Sequence, residues 1–401
     1  MNLTVISQLF YPELISTGLT LTELCESLSK KGFNLNVIAG YPTVIDPKSR
    51  IPKKMNHNNI TIERVWSTRF PKLNIFGKMF NHLTLLVSLF FKLLLRPNKD
   101  PILLLTNPPL LPLLMTLLYP IKKFKYSVLL FDLYPETIVS SKILSQSHFF
   151  VRFWQKANIS VYKNAEHIIT IGRCMDNIVK KQVPSSIHHK FHVIPIWSDH
   201  KHIENTKDAI DFKKRWGLSD QFIVGYSGNM ARFHDIESLV KAAKLLKSNK
   251  NITFLFVGEG HKKQWAQDFV LKHKLTNCIF KSYVDRNQLG ALLHCFDIGA
   301  VSLNKENTGL SVPSKTMGLL AAKKPILAIL DQESEIADMI LTYNNGITVA
   351  PNQPKKIAEK LIELYSDQKK LRLFGKNSFK ALSEKYNLDQ TTTKFVTLFK
   401  K

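Results

Sequence analysis

Apolar residues along the chain fall into short runs separated by stretches with helical spacing, and this alternation begins at the first residues. Residues 2–9 read as a short strand. A turn-like stretch from Tyr11-Pro12 to Thr17-Gly18 follows, and then residues 19–31 place Leu21, Leu24 and Leu28 on one helical face. Gly32 stands where a helix stop belongs, and residues 33–40 read as a second strand. Strand, glycine-containing loop, helix and strand make a βαβ unit. The alternation resumes after residue 221. Strands are predicted at 222–226, 253–257, 279–281, 298–302, 325–329 and 346–349, with helical patterns between them. Two such series in one chain predict an α/β protein with two doubly wound, Rossmann-like domains facing a central cleft.

The middle of the first half has a different pattern. Residues 83–95 are apolar except for a few positions, and residues 102–121 run without a charge. The second run is long enough for a membrane span, but Pro108, Pro109, Pro112 and Pro120 and the pair Thr106-Asn107 interrupt it. It reads instead as a buried strand over 102–106, a proline-rich loop, and a helix from about Leu110. The first run holds Lys92 and is too short to span. It reads either as a helix lying in a membrane surface, with Lys78, Lys92 and Arg96 near its ends, or as one of a pair of core-facing helices. Further strands are predicted at 126–130, leading to Asp132, at 168–171, ending at Gly172, and at 192–196. The polar stretch 198–207 reads as a hinge. The predicted division is therefore 1–197, 198–385, and a last helix within 386–401 that would pack back on the first domain.

Composition changes the picture in one respect. The 401 residues carry 56 Lys and Arg against 31 Asp and Glu, a net charge of +25. Such an excess favours an anionic partner, namely phosphorylated substrates or an anionic lipid surface. The basic residues are scattered and no nucleic-acid-binding signature accompanies them, so nucleic acid is not an expected partner. The four cysteines form no CxxC pair, which argues against a zinc or redox motif and fits a reducing compartment. The N-terminus does not read as a signal peptide, and a cytoplasmic location is expected.

The candidate chemistry lies in small-residue turns after strands. Such turns expose backbone N–H groups at a helix start and suit phosphate, although ordinary βα turns look the same. Two stand out, Ser16-Thr17-Gly18 and Gly228-Asn229, the second followed closely by Arg232, a fork-shaped donor for a diphosphate. Neither fits a dinucleotide or Walker A pattern. The segment Gly309-Leu310-Ser311-Val312-Pro313-Ser314-Lys315 precedes an apolar helix. Ser311 and Ser314 there are candidate caps or phosphate ligands. Lys315 opposes the helix dipole, a conflict that a bound anion would resolve.

The order of these pieces resembles the GT-B glycosyltransferases of family 4, and within them the group making O-antigen and colanic-acid type polysaccharides. The resemblance covers nearly the whole chain. It rests on Gln8-Leu9-Phe10-Tyr11-Pro12-Glu13, Thr106-Asn107-Pro108-Pro109, Asp132-Leu133-Tyr134-Pro135-Glu136, Ile194-Pro195-Ile196-Trp197-Ser198-Asp199, Tyr226-Ser227-Gly228-Asn229-Met230, Val257-Gly258-Glu259-Gly260 and Val312-Pro313-Ser314-Lys315. It implies a retaining, metal-independent transfer from a nucleotide-diphospho-sugar to a saccharide acceptor, lipid-linked at the inner face of a bacterial membrane, with no cofactor. Donor-binding residues would be Gly228, Asn229, Arg232, Gly258, Ser311, Pro313, Ser314 and Lys315, together with Ser16, Thr17 and Gly18. Asp132 would orient or deprotonate the acceptor, unless it merely caps the next turn, and Glu136 is its neighbouring alternative. The chain departs from the family in two places. Leu310 and Gly318 replace a pair of glutamates, the second of which holds the ribose, and Glu237 stands where an Arg-x4-Lys pattern has its lysine. A sugar-nucleotide 2-epimerase and a non-catalytic subunit that docks a partner enzyme to the membrane are the rival expectations.

Overall fold

The computed structural model describes residues 1–14, 16–42, 51–70, 75–97, 99–198, 203 and 209–400, and the expected hinge at 198–207 lies almost wholly outside them. The chain divides into two units, Met1–Pro195 with Leu388–Lys401, and Ile196–Asn387.

The first unit is built in chain order from β1 (Asn2–Ser7), α1 (Ser16–Lys30), β2 (Asn34–Gly40), β3 (Lys54–His57), β4 (Ile60–Val65), α2 (Ile75–Leu94), β5 (Ile102–Leu105), α3 (Leu114–Lys122), β6 (Tyr126–Leu130), α4 (Glu136–Ser140), α5 (Phe149–Asn164), β7 (Ile168–Thr170), α6 (Arg173–Gln182) and β8 (Phe191–Val193). The strands form one sheet in the order β3-β4-β2-β1-β5-β6-β7-β8. All neighbours are parallel except β3 against β4. The central strands are apolar on both faces because helices cover both, as a parallel sheet requires. In β5, for example, Ile102, Leu103, Leu104 and Leu105 are all fully buried.

Three expectations need correction here. Helix α1 starts at Ser16, so Thr17 and Gly18 form its first turn and do not belong to the preceding loop. Glycine is required at 18 because a Cβ would lie 2.5 Å from the Glu13 carbonyl, which the helix approaches closely. The proline-rich loop after β5 passes through a 3₁₀ turn, Leu111–Leu113, before α3 begins at Leu114. Helix α2 is longer than its purely apolar run. It starts at Ile75, and its inner face buries Leu85, Leu86, Leu89 and Leu93 while Phe76, Met79, Phe80, Leu83, Val87 and Phe91 stay exposed. Lys92 and Arg96 do not flank this face as free cations. Lys92 pairs with Glu63 at 2.7 Å and Arg96 with Asp100 at 3.2 Å. No helix among the described residues is long and apolar enough to cross a membrane.

The second unit contains α7 (Ala209–Arg215), β9 (Phe222–Ser227), α8 (Ile236–Leu245), β10 (Ile252–Val257), α9 (Lys263–Lys272), β11 (Cys278–Lys281), α10 (Leu289–His294), β12 (Ile298–Ser302), α11 (Lys315–Ala321), β13 (Ile326–Ile329), α12 (Glu335–Tyr343), β14 (Gly346–Val349), α13 (Pro354–Ser366) and α14 (Gln368–Ala381). Its six strands are all parallel, in the order β11-β10-β9-β12-β13-β14. Strand order reverses direction between β9 and β12, which leaves a crevice beyond the carboxyl ends of those two strands. Close packing behind that point explains two glycines. A Cβ on Gly225 would lie 2.2 Å from the Phe296 ring, and one on Gly299 would lie 2.2 Å from Leu319.

The last helix, α15 (Leu388–Lys400), belongs to the first unit. It lies on α1, where Asp389 pairs with Lys31 at 2.8 Å and Thr392 donates to the Ser27 hydroxyl at 2.9 Å.

Candidate functional site

In the second unit the loops after β9 and β10 lock together. Gly228 takes φ of +128° and Gly258 φ of +140°, both in the region that favours glycine. A Cβ on Gly258 would lie only 2.2 Å from the Gly228 carbonyl oxygen. The Gly228 N–H donates to Val257 at 2.9 Å and the Met230 N–H to Glu259 at 2.8 Å. No larger residue at position 258 would let the two loops meet.

Lys315 enters this loop pair from the start of α11. Its ammonium lies 3.9 Å from the centre of the Tyr226 ring, donates to the Tyr226 hydroxyl, and lies 3.5 Å from the Asn229 carbonyl. A Cβ on Gly228 would lie 3.5 Å from Lys315 Cε, so the lysine stem runs directly over the glycine. Burial pushes the Lys315 pKa down to about 7. The Tyr226 hydroxyl is buried and its pKa is pushed up. It donates to the Asn229 carbonyl at 2.9 Å and lies 2.9 Å from Nδ1 of His234. Burial first, and then the charge of Lys315, push His234 down to about 2, so this imidazole is neutral. Asp235, beside it, caps α8 through the Ser238 N–H at 3.0 Å and also receives the Asn352 N–H at 3.0 Å. The result is a fixed Lys315–Tyr226–His234 row at the mouth of the β9/β12 crevice.

The other expected residues of this unit are placed as follows. Asn229 supplies its carbonyl to Lys315, Tyr226 and His234. Arg232 is exposed in the next turn, and its carbonyl receives Asn304 Nδ2 at 3.3 Å. Ser314 precedes α11 but makes no capping hydrogen bond through its side chain. Ser311 is half-buried and bridges Thr308, while Pro313 is buried. Leu310 is a core residue, and Gly318 packs so closely on α10 that a Cβ would lie 3.2 Å from Leu293. Glu237 is occupied by Lys262 at 2.8 Å, and the same lysine also donates to the His234 carbonyl at 2.6 Å. The reading of the sequence assigned no role to Tyr226 and did not name His234. The available signal was a histidine directly before a helix-capping aspartate.

In the first unit, the candidate residues lie at the carboxyl edge of the sheet. Asp132 follows β6, and its backbone N–H reaches the Thr106 hydroxyl of the loop after β5 at 3.4 Å. Burial raises the Asp132 carboxyl to about 6. The loop around it is held by Asn158, which donates to the Tyr134 carbonyl at 2.7 Å, and by the Tyr134 ring stacked 6.0 Å from Trp154. Glu136 is engaged differently. One of its oxygens receives both Gln155 at 2.9 Å and Gln182 at 3.0 Å, which ties α4 to α5 and α6. Thr17 is half-buried in the first turn of α1 and Gly18 is buried. Ser16 begins that helix. The preceding loop is pinned by buried Arg64, which donates to the Gly40 carbonyl at 2.8 Å and to the Tyr11 carbonyl.

Comparison with known proteins gives the class first. Residues 208–381 match the family described as glycosyl transferases group 1. The chain has the GT-B fold of two Rossmann-like domains. Sucrose-phosphate synthase from Thermosynechococcus elongatus aligns with a TM-score of 0.78 over 100% of this chain and 98% of that one, at 16% identity. HepE of Anabaena, solved with UDP and glucose, aligns at 0.75 over 100% and 99%, at 13% identity. A nearer relative in sequence is the probable glycosyltransferase WbjE of Pseudomonas aeruginosa, 30% identical over 271 residues, 66% of this chain and 66% of that protein. The chain spans about half or less of two more distant relatives, 49% and 40% of their lengths. The row built on Lys315 lies inside residues 208–381, the segment that matches the group 1 glycosyltransferases.

Proposed function

We propose that the protein is a retaining glycosyltransferase of family 4, in the group that builds O-antigen and colanic-acid type polysaccharides. It moves a sugar from a nucleotide-diphospho-sugar to a saccharide carried on a lipid. The observation that carries this reading is Lys315, a half-buried cation with no carboxylate partner among the described residues, held over Gly228 at the strand-order reversal within the segment that matches the group 1 glycosyltransferases. WbjE is named as a glycosyltransferase, and HepE was solved with UDP, which supports the donor class.

In this mechanism the bond between the sugar C1 and the diphosphate oxygen breaks, and the nucleotide diphosphate leaves with the electron pair. The acceptor oxygen bonds to C1 on the same face. Lys315 and Arg232 balance the charge that develops on the departing diphosphate, the task a metal ion performs elsewhere. The backbone around Gly228, Asn229 and Gly258 approaches the diphosphate closely because the two glycines carry no side chain there. Ser311, Pro313 and Ser314 shape the approach to Lys315. Asp132, with a carboxyl raised to about 6, takes the acceptor proton at neutral pH. Glu136 positions the loop that carries Asp132. Ser16, Thr17 and Gly18, at the start of α1, serve the substrate phosphates from the first unit.

The first unit also supports a seat at the inner face of the cell membrane. The outer face of α2 exposes Phe76, Phe80, Leu83, Val87 and Phe91 at helical spacing, and neighbouring α3 adds Leu117 and Ile121. An exposed apolar surface of that kind on a strongly basic protein fits an anionic bilayer.

A melting-temperature screen with UDP-, GDP- and dTDP-sugars tests the reading, since a ligand of the native state raises its stability. One donor class should stabilise the protein and be consumed when membranes are added, with EDTA making no difference. Absence of both binding and consumption overturns the proposal. Turnover of the donor in plain buffer without acceptor would favour an epimerase.

A further inference from the structure

At the opposite end of the second unit's sheet, the residues that lead into β12 and β13 face α14 across a cleft of about 460 Å³. That volume is in the range of small-molecule sites. Its walls are held in place from both sides. A Cβ on Gly375 of α14 would lie 2.4 Å from the Lys323 carbonyl, and the Ser378 hydroxyl donates to the Lys324 carbonyl at 2.7 Å. The cleft is a product of tight packing between α14 and the turn before β13.

Four cations line it, Lys323, Lys324, Arg372 and Lys376, against a single carboxylate, Asp297. That carboxylate is already engaged. One of its oxygens receives the Ile223 N–H at 2.8 Å and lies 3.8 Å from Lys213, a fifth cation at the edge. Lys324 donates to the His294 carbonyl at 2.9 Å, and burial lowers its pKa to about 8, with Asp297 opposing and Lys213 adding to the shift. Lys323 lies 4.6 Å from the centre of the Phe379 ring. Among the described residues Lys323, Arg372 and Lys376 form no ion pair. Cations gathered on one surface recess give it a positive potential that favours an anion. Phe379 and Leu371 add an apolar wall.

We propose that this cleft is a second ligand site, separate from the Lys315 row, for a small phosphorylated metabolite. Lys324, Arg372 and Lys376 hold the phosphate, Arg372 by its two-pronged donor geometry, and the organic part lies against Phe379 and Leu371. The inference stands independently of the transferase reading, because none of its residues takes part in that reaction.

Titration calorimetry with inorganic pyrophosphate and with ribose 5-phosphate tests it. Lys315→Ala protein, in which the first site is impaired, should still bind both probes. Adding Arg372→Ala and Lys376→Ala should weaken that binding at least about tenfold, as expected for loss of charge-assisted hydrogen bonds. Both side chains are exposed, so the melting temperature of the unliganded protein should hold and confirm the fold. Equal binding by the Lys315→Ala protein with and without the two further substitutions overturns the proposal. So does a result in which those substitutions abolish binding to phosphatidylglycerol vesicles and leave both phosphate probes unaffected, which would make this face a lipid contact.

Discussion

Among the described residues Lys315 meets no carboxylate, and that shapes how the site responds to pH. Its pKa of about 7 lies below the ordinary 10.5, so the empty site is only partly charged at neutral pH. Bound diphosphate restores the charge, and donor affinity should therefore fall as pH rises above about 7, by up to tenfold per unit. Asp132 sets the other limb, because it is a base only above about 6. A bell-shaped kcat/KM profile with limbs near 6 and 7 is the expected outcome. Asp132→Asn should remove the acid limb along with most activity, and Lys315→Arg should move the alkaline limb upward. A profile flat between pH 5.5 and 8 would disprove both assignments. His234 adds a stability effect of its own. Its folded pKa of about 2 lies below the unfolded value of 6.5, so below pH 6.5 the unfolded chain takes a proton that the native site refuses. Stability from this group is complete above pH 6.5 and falls by up to about 1.4 kcal/mol per pH unit below it. Urea unfolding at pH 4.5 to 7 should show a shallower acid loss in His234→Asn, although that variant is less stable at pH 7.

Among the elements, α2 carries the clearest consequence. Phe80→Glu with Val87→Glu changes only exposed positions, so the melting temperature should stay close to that of the parent. Co-sedimentation with anionic vesicles should drop several-fold, and unchanged binding would remove α2 from the membrane contact. The same helix shows where reading the sequence reached its limit. Its second half was legible from residues 83–95. Its first turns contain Gly77, Lys78, Asn81 and His82, and their polarity disguised a helix whose buried Asn81 bonds back to Phe70 at 2.9 and 3.0 Å. The β3–β4 hairpin was missed for a related reason. Lys54–His57 is a half-exposed edge strand with little apolar content to mark it. The buried parallel strands of both units were legible because they are apolar throughout. In the site, Lys315 was legible because a cation there opposes a helix dipole. Tyr226 and His234 act through burial around that lysine, and residue order does not record which side chains share an interior.

At the scale of the whole molecule, the first unit depends on a segment that follows the second in the chain. Helix α15 buries Phe395, Leu398 and Phe399 in the first unit, and Phe399 lies 6.2 Å from the His167 ring. Ending the chain after Asn387 should expose that surface of α1 and β7. The first unit should then melt earlier, while the Gly258 and Lys315 loops should keep their affinity for the donor. Hydrogen exchange resolved by segment would check this, and unchanged protection of α1 would count against it.

That arrangement also sets an order of events during synthesis. The residues of the first unit leave the ribosome first, yet the helix that completes it is made only after all of Ile196–Asn387. At an elongation rate of roughly 5–20 residues per second this is a delay of about ten to forty seconds. During it the nascent chain presents an unfinished apolar face on α1. A holding chaperone, or the membrane itself, is the natural occupant of that interval.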